Sequence, residues 1–472
     1  MSEIKAPVYT GGKKVFMIIA VLLLMTTAMM ANYGGSIVLP SKLTELGGMN
    51  FYSVISAINS MGMMLALPMV GILCSKFGVK MVTLAGVILQ FVARLVLMRV
   101  TGVFAFGVLW TLVGFFTGLY ISAPYAIMGA IVSPEERPKF YGLLATFSAT
   151  GALAGPALTG FVIDKFSTNL GLVAYVVFAI IPFVGLALFY PNLKRPSSGK
   201  FDFFGLFLLV LSICGVVLWL SLGGKSFSFV SPVGLVLLIG GLICAALLIA
   251  VERKHSNPSV PIYMFKKKRF RYTFLVQMLL VAYSTCVAAY GIVFVTTVMQ
   301  GSALVSSTVT MPQTIVQLIL GVSVGTYVSK AFKKRFPTMG KLALVLYTVA
   351  LLLLFTLKPT SSMIIIYIAT GLGGIGQAIS QSSFAAFFQT ELNQEEFPAA
   401  QGMYQFASSG GATIFTGICG AALNAGFTLN HVFLLGAFFT GAATIIAFIG
   451  FRFSKEEVEA EAADVASRAA KA

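Results

Sequence analysis

Residues 15–39 read VFMIIAVLLLMTTAMMANYGGSIVL, an apolar run without a charged side chain. A helix of about 20 apolar residues crosses the hydrocarbon core of a bilayer, so this run is long enough to span it. The run is also longer than the apolar core of a signal peptide and lacks a small-residue cleavage site. We therefore predict a retained first transmembrane helix with its N-terminus in the cytoplasm.

The composition of the whole chain agrees with this opening segment. Of its 472 residues, 58% are hydrophobic and 10% are charged, and the mean hydropathy is +0.94. A soluble protein carries roughly a quarter charged residues, which excludes a large soluble domain here. The five cysteines are scattered through or beside apolar runs, so we predict neither a disulfide framework nor a metal site.

Apolar runs of spanning length recur along the chain and predict an all-α membrane protein. We place fourteen transmembrane helices at residues 16–38, 51–73, 80–100, 103–132, 140–163, 171–190, 203–222, 231–251, 271–299, 304–329, 339–357, 361–390, 398–424 and 430–452.

The placement of basic residues predicts the orientation of these spans. With the N-terminus inside, the 32 Lys and Arg residues fall at cytoplasmic ends and loops except for Lys42, Arg94, Arg99, Lys165, Lys225 and Lys358. Because Lys and Arg accumulate in cytoplasmic loops, both termini are predicted to be cytoplasmic. The net charge of +17 is thus a topology signal and does not indicate a nucleic-acid partner.

Two charged segments lie outside the spans. The basic run at 266–271 is interpreted as a topology determinant, with binding of anionic membrane lipids as the alternative. The tail after Phe453 is rich in glutamate, and we predict a short frayed helix without a site.

Two short segments repeat the same offsets in the two halves of the chain. Residues 71–80 read GILCSKFGVK, and residues 325–330 read GTYVSK. The first resembles the loop signature G-x-L-x-D-R-x-G-x-K of the major facilitator superfamily, whose secondary transporters are built from repeated halves. The resemblance implies a gating role for Gly71, Ser75, Lys76, Gly78 and Lys80. Both copies have Ser where that family usually has Asp, and a serine cannot form the charged pair of the gate.

The fifth predicted span has the most specific resemblance. The antiporter signature G-x8-G-x3-G-P-x2-G-G is matched, except at Thr159, by Gly142, Gly151, Gly155, Pro156 and Gly160. Glycines at helical spacing let two backbones approach closely, and proline bends a helix, so the motif suits a span that flexes against its neighbour. Helix packing alone is the alternative for each single glycine.

Two of the predicted spans, 203–222 and 231–251, lie between the two halves of the chain. With this inserted pair, nearly the whole chain is similar to the fourteen-span drug:proton antiporter branch of that superfamily. The resemblance implies two six-helix bundles around a central cavity, plus two extra spans. The corresponding segments are a cytoplasmic N-terminus (1–15), an N-terminal bundle (16–190), inserted spans with a basic linker (191–270), a C-terminal bundle (271–452) and a cytoplasmic tail (453–472).

The acidic residues are absent from the middle of the predicted spans. All 15 Asp and Glu residues fall in a loop, a tail or the last turn of a span. Relatives that export cationic drugs have an Asp in the first span, where this chain has Ala31, and Thr111 stands at the matching position of the family's arginine in the fourth span. A cation at the midplane needs a carboxylate partner, so the sequence favours neutral or anionic amphipathic substrates. A weak acid could also carry the coupling proton itself.

Polar side chains inside the spans are the candidates for substrate binding, because they can hydrogen-bond a ligand in a mostly apolar cavity. Hydrogen bonding between helices is the alternative role for each. Two Gln pairs have a spacing of four residues and therefore lie on one helical face. The candidates are Asn32, Tyr33, Asn59, Arg94, Trp110, Gln277, Tyr283, Tyr290, Gln313, Gln317, Gln377, Gln381, Tyr404 and Gln405.

Two of these candidates have specific alternatives. Arg94 lies about 21 Å beyond Lys80 along the helix, in the outer half of the third span. We expect Arg94 and Arg99 to snorkel to the outer surface, with attraction of an anion by Arg94 as the alternative. Trp110 could offer a stacking wall to a substrate or serve in packing or lipid contact.

Together these features predict a secondary transporter and not an enzyme, because neither a catalytic constellation nor a cofactor motif is found. The antiporter-like fifth span favours proton-coupled export of small amphipathic compounds. The alternative is proton-linked uptake of an amphipathic weak acid such as a bile acid, since bile-acid permeases are related to the branch that the chain resembles. A channel or a transporter-derived sensor is the alternative from another class. Protons or the substrate gradient are the expected driving force, and the resemblance implies a monomer in the cytoplasmic (inner) membrane.

Overall fold

A computed structural model describes residues 11–192, 202–224, 227–253 and 260–471. The backbone of this part of the chain forms nineteen α-helices: α1 (Gly11–Glu45), α2 (Tyr52–Phe77), α3 (Val79–Leu97), α4 (Val103–Ile121), α5 (Ala123–Ile131), α6 (Arg137–Lys165), α7 (Thr168–Gly171), α8 (Val176–Phe189), α9 (Phe203–Leu222), α10 (Pro232–Glu252), α11 (Lys268–Thr285), α12 (Ile292–Thr297), α13 (Ala303–Ser307), α14 (Met311–Ser329), α15 (Phe332–Phe355), α16 (Met363–Gln389), α17 (Phe397–Asn424), α18 (Leu429–Gly450) and α19 (Lys455–Lys471).

The helices are long and apolar enough to form the predicted spans. Thirteen helical segments among the described residues have the length and hydropathy to cross a membrane, and Phe204–Leu220 is a shorter apolar helix at the predicted seventh span. The prediction of an all-α membrane protein is confirmed, and the count of fourteen spans is approximately supported.

Three of the predicted spans are interrupted helices. The fourth is divided at Ser122, two residues before Pro124, which has no amide hydrogen for the helical ladder. The ninth contains a π-helical turn, Cys286–Gly291, between α11 and α12. The tenth begins with α13 and a 3₁₀ turn, Thr308–Thr310, before α14. Hydropathy predicts where the chain crosses the membrane but does not detect these local changes of hydrogen bonding.

The chain is divided into two compact units. Unit 1 comprises Met1–Ile131, Phe147–Met264 and Asn393–Gly417, and unit 2 comprises Val132–Thr146, Phe265–Leu392 and Ile418–Ala472. Within unit 1, α2 packs against α4, α3 packs against α4, and the inserted helices α9 and α10 pack against each other. Within unit 2, α14 and α15 both pack against α16, and α18 packs against α11 and α15.

The tail forms a helix whose first turn is held by hydrogen bonds. A capping box begins α19: the Glu457 amide donates to Ser454 Oγ at 3.1 Å, and the Ser454 amide donates to Glu457 Oε2 at 2.9 Å. Arg269 Nη2 donates to both carboxylate oxygens of Glu457 at 2.7 Å, and the Lys333 amide donates to Glu461 at 2.9 Å. The helix predicted for the tail is present as α19, and its first turn is held by the capping box and by the ion pair with Arg269.

Candidate substrate-binding and gating residues

Arg94 lies in the interior of unit 1, near the end of α3, with 3% of its surface exposed. Its Nη2 donates to the Ala31 carbonyl at 2.8 Å, and its Nη1 donates to the Leu172 carbonyl at 3.0 Å. The rings of Tyr175 and Trp110 lie 4.9 Å and 5.6 Å from its Cζ. Arg94 therefore joins α1, α3 and the turn after α7 through neutral groups.

The prediction that Arg94 snorkels to the outer surface was wrong, whereas Arg99 is exposed. The physical reason is local. Main-chain carbonyls and aromatic rings lie within reach of Arg94 inside unit 1, so its guanidinium has polar contacts without reaching the membrane surface.

Gln90 forms a second buried polar group on the same helix and is a functional candidate that the sequence analysis missed. Its side-chain oxygen accepts from Tyr120 Oη at 2.9 Å and from Tyr175 Oη at 2.8 Å, and its nitrogen donates to Thr117 Oγ1 at 2.6 Å. Gln90 and Arg94 are four residues apart and share a face of α3. That spacing is the signal that could have identified them as a pair.

The other candidates of unit 1 fall into three groups. Asn59 Nδ2 donates to the Trp110 carbonyl at 2.6 Å, which joins α2 to α4, and Trp110 is 4% exposed. By contrast, Asn32 and Tyr33 are exposed on α1. The remaining two candidates of this unit, Tyr404 and Gln405, are half-buried on α17.

In unit 2, the two predicted Gln pairs meet each other. Gln313 Nε2 donates to Gln377 Oε1, and Gln317 Nε2 donates to Gln381 Oε1 at 3.0 Å and to the Ala145 carbonyl at 3.0 Å. The two bonds follow one another along α14 and α16, because the spacing of four residues places each Gln pair on one face of its helix. We call these four residues, Gln313, Gln317, Gln377 and Gln381, the Gln ladder. Each side-chain amide can form further hydrogen bonds, so one of the two Gln–Gln bonds can be replaced by a bond to a ligand.

Aromatic and polar groups adjoin the Gln ladder. Tyr283 Oη donates to Gln313 Oε1 at 3.2 Å and to the Thr370 carbonyl at 3.3 Å, and its ring lies 4.6 Å from that of Tyr347. Gln277 is buried on α11, six residues before Tyr283 on the same helix. Tyr290 lies in the π-helical turn and shares a hydrogen bond with Cys419.

The glycines of the antiporter-like motif lie at close helix contacts, with one exception. In unit 1, a Cβ added to Gly155 would lie 2.8 Å from Met30 Cα, and one added to Gly151 would lie 2.5 Å from the Thr26 carbonyl oxygen. In unit 2, a Cβ on Gly142 would meet the Gly321 carbonyl oxygen. Nothing lies within 4 Å of a Cβ on Gly160, so this glycine makes no close contact.

The departure from the motif at Thr159 has a structural counterpart. A Cβ added to Gly34 of α1 would lie 2.5 Å from Thr159 Oγ1, so Gly34 leaves the space that the threonine side chain occupies. Pro156 lies inside α6, which continues past it. The close contact between α6 and α1 is therefore kept although the last glycine pair of the motif is incomplete.

The two repeated loop segments use their serines and glycines alike. Ser75 Oγ donates to the Ile72 carbonyl at 2.9 Å, and Ser329 Oγ donates to the Thr326 carbonyl at 2.9 Å. Each serine thus bonds its own helix. A Cβ on Gly71 would lie 2.6 Å from Ala399 Cβ within unit 1, and a Cβ on Gly325 would meet the main chain of Pro138 within unit 2.

Beside these contacts, Lys76 lies 5.5 Å from the ring of Phe77, and Lys80 is half-buried in the first turn of α3. Gly78 has φ 88°, a conformation that a residue with a side chain rarely adopts, and it joins α2 to α3. Among the described residues, no group of three or more His, Cys, Asp or Glu is arranged to hold a metal ion.

Comparison with known proteins gives the family. Residues 19–416 match the Major Facilitator Superfamily. The chain belongs to this superfamily. It is 24% identical over 392 residues to the multidrug transporter protein MdtP of Bacillus subtilis (strain 168), covering 82% of this chain and 71% of that protein. It is 23% identical over 441 residues to multidrug resistance protein 3 of the same strain, covering 91% of this chain and 84% of that protein.

A solved structure supports the superfamily fold. The proton:xylose symporter XylE has a TM-score of 0.66 at 13% identity, over 96% of this chain and 99% of that chain. The superfamily consists of membrane transporters, so this chain is a multi-pass membrane transporter of small organic substrates and not an enzyme.

Proposed function

We propose that this transporter exports amphipathic compounds that are neutral or anionic, by exchange with protons. One observation supports the charge class above all. In the described part of the chain, every Asp and Glu lies in a loop, at a helix cap, in the last turn of a helix or in α19, as in Glu45, Asp164, Asp202 and Glu252. A cationic substrate at the midplane would have no carboxylate to pair with in the residues described.

The polar groups that are present suit such substrates. The Gln ladder of unit 2 offers amide donors and acceptors, which can bind hydroxyl, carbonyl or carboxylate groups. In unit 1, the polar side chains of Asn32 and Tyr33 are exposed. Neutral donors and acceptors on apolar helices are the lining expected for an amphipathic ligand.

The export direction rests on the relatives, since both Bacillus subtilis proteins are named for multidrug transport or resistance. A weak acid that carries its own proton removes the need for a buried titratable carboxylate in the protein, but it moves the proton and the substrate in the same direction, as in proton-linked uptake. The same logic keeps proton-linked uptake of an amphipathic weak acid, such as a bile acid, as the second candidate. We place the protein as a monomer in the cytoplasmic membrane with both termini inside, in accord with its basic loops.

Flux in proteoliposomes with an imposed pH gradient tests the proposal. Radiolabelled cholate and a lipophilic cation dye are compared in vesicles with and without the protein. We expect saturable, gradient-dependent movement of cholate outward from the cytoplasmic side, without movement of the dye. Dye export without cholate movement would refute the charge argument, and cholate accumulation instead of export would establish uptake. Absence of saturable counterflow would indicate a channel or a sensor.

A further inference from the structure

Arg94 has a positive charge in the interior of unit 1 without a negative partner. An arginine side chain stays protonated in proteins, and burial of a charge is unfavourable unless an opposite charge compensates it. The two groups that accept hydrogen bonds from Arg94 are the Ala31 and Leu172 carbonyls, both neutral. In the described residues, no carboxylate lies within ion-pair distance of Arg94.

One donor of the guanidinium, Nε, makes no hydrogen bond among the described residues. The group has five N–H donors in a planar fork, and the Nε donor is buried. A carboxylate or a sulfonate accepts two parallel hydrogen bonds from one edge of such a fork. Nε and the neighbouring Nη2, which donates to the Ala31 carbonyl, would form such a pair of donors for an anion once that carbonyl moves away.

The surroundings of Arg94 suit the apolar part of an amphipathic anion. The rings of Trp110 and Tyr175, which are 4% and 5% exposed, lie beside the guanidinium. Such rings stabilise the cation in part, and they exclude water, which strengthens its attraction to an anion.

The Ala31 contact connects anion binding to a movement of α1. Ala31 is followed by Asn32 and Tyr33, which are exposed, and by the glycine pair at 34–35. Pairs of small residues are one of the places where helices bend. Bending of α1 there would separate the Ala31 carbonyl from Arg94 and admit an anion from the side of the two exposed residues.

We infer that Arg94 binds the anionic head of the transported compound, a carboxylate or sulfonate on an apolar body. The inference rests on the proposed function and narrows its substrate class from neutral or anionic compounds to organic anions. The bound head takes the place of the Ala31 carbonyl on the guanidinium, so substrate and α1 compete for the same donors.

Trp110 allows binding to be measured without transport. The chain has two tryptophans, and Trp219→Phe leaves Trp110 as the only one. Purified protein with this substitution is titrated with cholate and with the uncharged amide of cholic acid, both below micelle formation, while Trp110 fluorescence is recorded. Cholate is expected to bind at least about tenfold more tightly than the amide, the effect of one charge-assisted hydrogen bond. Equal binding of the two probes overturns the inference.

Substitutions of two arginines on one span locate the effect. Arg94→Gln is expected to abolish the preference for cholate, Arg94→Lys to keep part of it, and Arg99→Gln to leave it unchanged, because Arg99 is exposed. A wild-type preference in folded Arg94→Gln overturns the inference. If Arg94→Gln does not elute as a monodisperse protein, the test rests on two other results. These are the reduced preference for cholate expected in Arg94→Lys and the comparison of cholate with its amide in the protein that keeps Arg94.

The binding and flux measurements separate the two proposals. If cholate binds preferentially but neither cholate nor its amide is transported, the proposed function fails and the anion site stands. If both probes are transported and bind equally well, the function stands and the inference fails.

Discussion

Gly155→Ala tests the close approach of α6 and α1 in unit 1. The added Cβ would lie 2.8 Å from both the Cα and the carbonyl oxygen of Met30, where ordinary contact begins near 3.4 Å. Both atoms belong to the main chain, so no side chain can turn away and α1 must shift by roughly 0.6 Å or the new methyl must be strained. Overpacking of this kind costs about 1–3 kcal/mol.

Gly160→Ala is the matched control on the same helix, because nothing lies within 4 Å of its added Cβ. Both substitutions gain a similar helix propensity, about 1 kcal/mol, so this contribution cancels when the variants are compared. We expect Gly155→Ala to have a lower free energy of unfolding than Gly160→Ala by about 1–3 kcal/mol. Gly160→Ala should be at least as stable as the unchanged protein.

The assay is reversible unfolding in mixed detergent and dodecyl sulfate micelles, followed by circular dichroism, with cholate flux as the functional readout. Reduced stability and reduced flux in Gly155→Ala alone are the expected results. Equal unfolding free energies for the two variants would show that the helices do not meet at Gly155, and the assigned role of the motif would then be refuted.

Three further predictions follow from single contacts. Gly34→Ala should lower the free energy of unfolding by about 1–2 kcal/mol, because the added Cβ clashes with Thr159 Oγ1. Thr159→Ala in the same chain should restore most of this loss. If the double variant instead loses the sum of the two single losses in unfolding experiments, the clash is contradicted. Gly78→Ala should cost about 1–3 kcal/mol, measured in the same way, because φ at this position is 88°. Partial burial opposes ionisation of Glu457, but hydrogen bonds from Arg269 outweigh it and hold the pKa of Glu457 below its usual value. The pair thus contributes stability above the ordinary Glu pKa of about 4.3, and this contribution is lost as the pH falls through the lowered value in the folded state. The thermal stability of Glu457→Gln should therefore lie below that of the unchanged protein at pH 7 and converge with it in acid; a constant difference would argue against the ion pair.

The Gln ladder shows what residue spacing predicts and what it does not. A separation of four residues places Gln313 and Gln317 on one face of a helix, and the same holds for Gln377 and Gln381. That these two faces oppose each other is a property of how α14 and α16 pack within unit 2. The pairing could not be read from the sequence, because either face could equally have met an apolar neighbour or a ligand.

Arg94 is a residue whose environment the sequence did not decide. Its depth along the third span follows from the rise of the helix, but depth alone left two environments open, the membrane surface and the protein interior. The choice was made by the Ala31 and Leu172 carbonyls, which lie far apart in sequence and come together only through the packing of unit 1.

The sequence by itself determined the membrane class, the approximate number of spans, the superfamily and the absence of acids from span interiors. These properties depend on hydrophobic length and local motifs, which act on each segment separately. Tertiary structure alone decided which helices the glycines of α6 touch, that Thr159 is accommodated by Gly34, that α19 is anchored by Arg269 and that Arg94 is buried. Each of these depends on groups distant in the chain, whose meeting is set by the packing of whole helices.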